Sequence, residues 1–141
     1  MKIIDVIEWI EIAEDDLASA EILFEHVRRP LEIICYHCTQ SIEKYLKGFL
    51  VYNDIVPLKT HDLPTLLDMC KNIDDRFKVI KTECDIMNRY GSNMRYPNKI
   101  EVLNEDAKYC IKSVKKVQKA KPIQDMIEFI QNYKKTLDSE K

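Results

Sequence analysis

From Val6 to Val27 the apolar residues Val6, Ile10, Ala13, Leu17, Ala20, Phe24 and Val27 recur at alternating spacings of four and three. That is the repeat of one helix face. Sustained over this length, it commits the chain to a helix from about Ile4 to Val27 that packs lengthwise against neighbours. The opposite face carries Glu8, Glu11, Glu14, Asp15, Asp16, Glu21 and Glu25. Arg28 and Arg29 place positive charge at the C-terminal end, where the helix dipole favours it, and Pro30 stops the helix.

A second helix is expected from about Leu31 to Tyr52. Ile34, Cys38, Ser41, Tyr45 and Gly48 line one side, while Cys35, Ile42, Leu46, Phe49 and Leu50 line another. Two apolar sides suit a central helix flanked on both. The remaining stripe is polar: His37, Gln40, Lys44 and Lys47. Asn53, Asp54 and Pro57 open a loop. At Thr60-His61-Asp62-Leu63-Pro64 a third helix starts, with Asp62 or Thr60 as its cap and Pro64 in the first turn. It buries Leu63, Leu66, Leu67 and Cys70. Asp74-Asp75 begin another helix, with Phe77, Ile80, Cys84, Met87 and Tyr90 inward and Gly91 suited to a left-handed C-terminal position.

From Gly91 to Lys99 helical periodicity lapses, the longest such stretch in the chain and the natural place for function. Leu103, Ala107, Cys110, Val114 and Val117 then restore the repeat. Pro122 separates a last helix with Ile123, Met126, Ile127, Ile130 and Tyr133, and the tail after Leu137 is expected to fray. With only two glycines in 141 residues a many-turned β fold is excluded. The expectation is one all-α domain, an antiparallel up-and-down bundle of about five or six helices.

A net charge of −2 excludes a globally basic nucleic-acid binder, though not a local basic patch. No secretory signal or membrane-length apolar run is visible. Five cysteines, an odd number set within helical patterns, fit a reduced cytoplasm. Cys35-Tyr36-His37-Cys38 has the spacing of redox and zinc sites but no second pair, so it reads as core. No phosphate-cradling glycine loop or metal motif occurs, and neither metal nor cofactor is called for. His26 suits a helix end. His61, beside Asp62, suits acid–base work or simply belongs to the cap region. His37, Gln40, Lys44 and His61 are candidates for a cleft. Lys108, Lys112, Lys115 and Lys119 form a ridge, either a phosphate track or a solvated face. Arg95, stiffened by Tyr96 and Pro97, can grip a phosphate or carboxylate, or else cap a helix or pair with Glu101.

Four motifs then fall in order: Trp9 followed by Ala13-Glu14-Asp15-Asp16-Leu17-Ala18-Ser19-Ala20; Cys38-Thr39-Gln40-Ser41-Ile42-Glu43-Lys44-Tyr45-Leu46-Lys47; Thr60-His61-Asp62-Leu63; and Met94-Arg95-Tyr96-Pro97. From about Trp9 to Val117 this succession resembles the HEPN domain, the higher eukaryotes and prokaryotes nucleotide-binding domain. The resemblance implies a bundle over 1–121, with the C-terminal helix and tail of 122–141 packed on the same domain. It also implies a homodimer, and for prokaryotic members a minimal nucleotidyltransferase partner in toxin–antitoxin or related pairs. Many HEPN proteins are metal-independent ribonucleases using an arginine followed shortly by a histidine. Arg95 matches the arginine, but Lys99, Ile100 and Glu101 stand where the histidine would, and none follows. Thr39 stands where relatives commonly carry a second glutamine. The expectation is therefore a non-catalytic module that binds a nucleotide or RNA through Arg95, Tyr96, Lys99 and Lys47. The alternatives are a ribonuclease with His61 as substitute base and a purely structural interaction protein.

Overall fold

The computed structural model describes residues 2–91 and 101–141. Its helices are α1 (Ile3–Glu25), α2 (Leu31–Tyr52), α3 (Leu63–Ile73), α4 (Lys81–Met87), α5 (Asn104–Lys119) and α6 (Lys121–Ser139). Short 3-10 segments at Asp75–Ile80 and Asn88–Tyr90 flank α4. Among the described residues there is no strand. The α2 helix is central as its two apolar sides require: α1 packs along one flank and α5 along the other, with α3 across its end.

The approach of α1 to α2 depends on Gly48. A Cβ there would stand 3.0 Å from Ile10 Cδ1 and 3.2 Å from Trp9 Cβ, so glycine is what lets the helices close. Ser41 adds a hydrogen bond across the same seam, donating to the Ala13 carbonyl at 2.7 Å. The core continues through Tyr45, Leu46 and Leu50 to Phe77, whose ring meets Phe49 edge-on at 4.6 Å. Each such aliphatic or aromatic side chain contributes about 1.5–3 kcal/mol on burial.

Four boundaries differ from the periodicity. The first helix ends at Glu25, and Val27 is 99% exposed rather than part of the seam. Arg29, at φ 40°, turns back so that its Nε donates to the Phe24 carbonyl at 2.6 Å and its Nη1 to Asn104 Oδ1 at 2.9 Å. An arginine side chain thus takes the carbonyl that another helical turn would have used. The helix expected from Asp74 opens as a 3-10 turn. That pitch eclipses side chains three apart and aligns Phe77 with Ile80, both fully buried. Gly91 has φ −76° and ψ −163°, an extended rather than left-handed exit. The last helix holds its hydrogen bonding to Ser139, two residues beyond the expected fray point.

All five cysteines are buried free thiols. Burial pushes the Cys84 thiol up to about 12 and those of Cys38 and Cys70 higher still. Cys35 and Cys38 therefore serve as small core residues. Among the described residues no trio of histidine, cysteine or acidic side chains is arranged to hold a metal ion. Nor is any helix among the described residues long and apolar enough to cross a membrane.

Candidate functional site

The polar stripe of α2 closes on a carboxylate. Glu43 has a side chain only 1% exposed, yet it carries three cationic or proton-donating neighbours. Lys44 Nζ lies 2.9 Å and Lys47 Nζ 3.2 Å from its Oε2, and His61 Nδ1 lies 2.8 Å from its Oε1. Gln40 holds Lys44 from the other side, its Oε1 accepting from Nζ at 3.1 Å. The indole of Trp9 sits 5.9 Å from each lysine nitrogen, so α1 contributes an aromatic wall within cation–π range.

Burial alone would raise the Glu43 carboxyl. The hydrogen bonds from Lys44 and His61, with the charges of Lys44 and Lys47, outweigh it and hold the group below the usual carboxylate range. Glu43 is therefore ionised and can only accept, so the proton on Nδ1 belongs to His61. The His61 side chain is 77% exposed. In its neutral form its Nε2 is a free acceptor turned to solvent.

A second set of bonds fixes the frame. Asp62 caps α3 by accepting from Thr65 N at 3.0 Å, and its other oxygen accepts from Asn88 Nδ2 at 2.9 Å. Asn88 in turn accepts from Leu63 N at 2.9 Å. The hydrogen bond from Thr65, then that from Asn88, keep the Asp62 carboxyl low. Thr39, buried on α2, has its Oγ1 within 3.3 Å of the Met87 carbonyl and 3.1 Å of the Tyr90 carbonyl. Its single proton is shared among these and the Cys35 carbonyl at 3.1 Å. Asp106 finishes the frame: it accepts from the Tyr90 hydroxyl at 3.0 Å and from Leu103 N at 2.8 Å. Tyr90 and Leu103 are thus held by one carboxylate.

The model of the HEPN domain matches residues 6–124. The chain belongs to the HEPN family. Among solved structures, the crystal structure of ST0689, an archaeal HEPN homologue, superposes with a TM-score of 0.65. It is 23% identical and covers 89% of this chain and 97% of its own, a likeness of fold. No curated protein matches the sequence significantly.

Of the residues expected at the HEPN site, Gln40, Lys44, Lys47 and His61 come together around Glu43. His37 does not join them; its Nδ1 meets Asp16 Oδ1 at 2.9 Å, tying α2 to α1. Arg95, Tyr96 and Lys99 lie outside the described residues. His26 has left the helix and its Nδ1 accepts from Arg28 N at 3.1 Å. Glu43 itself escapes a search for exposed function, since it lies inside an apolar helix. Its spacing was the available signal: it stands three residues after Gln40 and four before Lys47, in the same stripe. Asn88 carries no local signal, because its partners Asp62 and Leu63 are distant in sequence; Asp106 carries half of one, since it accepts from Leu103 N three residues back while its bond to Tyr90 is long-range.

Proposed function

We propose that this HEPN domain is a non-catalytic module for a nucleotide or RNA. In this reading it is homodimeric, resides in the reducing cytoplasm and works with a minimal nucleotidyltransferase in a toxin–antitoxin or related pair. The observation that carries the binding part is the Glu43 cluster. Two ammonium groups face one carboxylate, and the imidazole edge of His61 opens to solvent beside them. An incoming phosphate finds surplus positive charge from Lys44 and Lys47 in a partly desolvated setting, where such attractions are strongest. Arg95, Tyr96 and Lys99, outside the described residues, are further ligand candidates on their chemistry alone. The buried free thiols fit a reducing compartment. The partner and the dimer rest on family membership.

The test is titration of purified protein with AMP, followed by amide NMR. Shifts at Gln40, Lys44 and His61 that shrink in Lys47→Ala support the reading; silence at these residues removes it. Light scattering on the size-exclusion peak tests the dimer, and a monomer at about 10 µM, a concentration above the dissociation constant of a specific dimer, removes it. Co-purification with the product of the neighbouring gene tests the partner.

One observation favours a second reading. A buried carboxylate accepts from His61 Nδ1 and orients the ring with its other nitrogen left for a proton, the arrangement a general base needs. A ribonuclease would take the 2′-hydroxyl proton on Nε2 while Arg95 stabilised the phosphate. The non-catalytic reading expects no metal-free RNA cleavage above background. Cleavage abolished in both Arg95→Ala and His61→Ala would establish the ribonuclease instead.

A further inference from the structure

Two contiguous grooves run beside α5, remote from the Glu43 cluster. The first, of 380 Å³, is lined by Phe24, Ile111, Lys108, Lys112 and Lys115 together with Glu21 and Glu25. The second, of 490 Å³, is lined by Tyr109, Ser113, Lys112, Lys115, Lys116 and Lys119, with Glu83. They share Lys112 and Lys115. Much of the basic charge is uncommitted. Lys108, Lys112 and Lys119 have no carboxylate within 4.0 Å among the described residues. Lys115 makes an exposed pair with Glu21 at 3.2 Å, a contact of little net strength that a phosphate displaces easily. Glu83 is neutralised by Lys116 at 2.9 Å and does not oppose an anion. Glu25 does oppose one, so the second groove is the stronger half.

We propose that the α5 grooves form a track for single-stranded RNA, an extended surface distinct from the Glu43 cluster and resting on the nucleotide- or RNA-binding reading given above. Lys108 to Lys119 span eleven residues of helix, about 16 Å, the length of roughly five nucleotides in a stacked strand. A cationic groove with aromatic side chains on its floor is the chemistry that holds single strands: lysines follow the phosphates while bases stack. Phe24 and Tyr109 line the grooves, one in each. The Arg29 guanidinium already lies over the Phe24 ring at 4.4 Å, so the stacking role falls to Tyr109. An acidic peptide would use the lysines but have no use for that ring.

The experiment uses the intact protein, a fluorescein-labelled oligoadenylate about ten nucleotides long, and the double variant Lys112→Gln/Lys119→Gln. Both positions are exposed, and circular dichroism confirms the fold. Anisotropy titrations over a salt series should show the double variant binding about tenfold more weakly at low salt. The slope of log affinity against log salt should fall by about 1.4, two charges at roughly 0.7 each for a single strand. Unchanged affinity, no oligonucleotide binding by the parent protein, or equal competition by polyglutamate of matched charge would each overturn the track. AMP titration of the same variant separates the two readings. Retained AMP shifts with unchanged oligonucleotide affinity sink the track alone; a weakened oligonucleotide with no AMP shifts at the Glu43 cluster in the parent protein supports the track and sinks the cluster as ligand site.

Discussion

Glu43 and His61 meet at 2.8 Å, the carboxylate almost wholly enclosed and the imidazole mostly in solvent. Acid stability follows from the first half of that pairing. The Glu43 carboxyl is held below its unfolded value, so its contribution is fully present above the ordinary carboxylate pKa of 4.5 and is lost as pH falls through its lower folded value. Glu43→Gln should flatten the acid limb of a stability–pH curve measured by urea denaturation. Glu43→Ala should cost about 3 kcal/mol at neutral pH, because Lys47 is left enclosed without its counter-charge. An acid limb as steep in Glu43→Gln as in the parent would refute the assignment.

Thr39→Val keeps the shape of the side chain and removes its hydroxyl. The Met87 and Tyr90 carbonyls lose their donor, at a cost of about 1–2 kcal/mol. Hydrogen exchange should quicken first in the 3-10 turn Asn88–Tyr90, before the rest of the bundle. Uniform acceleration across all helices would show that the hydroxyl serves global packing instead.

Gly48→Ala sets helix propensity against crowding. Alanine gains about 1 kcal/mol as a helix former. Its Cβ, however, would press on Ile10 Cδ1, which can rotate away, and on Trp9 Cβ, which cannot. Crowding of this kind costs about 1–3 kcal/mol, so a net loss of about 1 kcal/mol is expected by thermal denaturation. Gly48→Val should lose more. A stabilised alanine variant would mean the α1–α2 seam has room to spare.

The cysteines should be inert in the folded protein. Burial raises the Cys84 thiol to about 12 and Cys38 and Cys70 further, so almost no thiolate exists at neutral pH. A thiol-disulfide reagent should label Cys38, Cys70 and Cys84 only at the rate of opening, and at once in denaturant. Rapid labelling of Cys38 without denaturant would revive a redox role for the C-x-x-C.

The helices were legible because their apolar faces repeat. The two sides of α2 and the seam of α1 from Val6 to Ala20 are buried as their spacing required. Asp62 was legible as a cap because cap chemistry is local. What escaped the sequence was settled over long separations. Arg29 ends α1 by reaching Asn104, 75 residues away, and the Tyr90–Asp106 bond fixes the exit that made Gly91 extended. The same applies to the site. The stripe on α2 supplied Gln40, Lys44 and Lys47, but only the fold brings His61 to Glu43, and only the fold turns His37 toward Asp16.

Asp106 has a consequence for how this surface can change over time. It receives Tyr90 and Leu103 on one carboxylate and so ties together the two ends between which the chain runs from 91 to 102. The entropy of closing a loop grows only with the logarithm of its length, so doubling it costs about 0.6 kcal/mol. A longer insert between these two anchors should therefore leave the described helices in place.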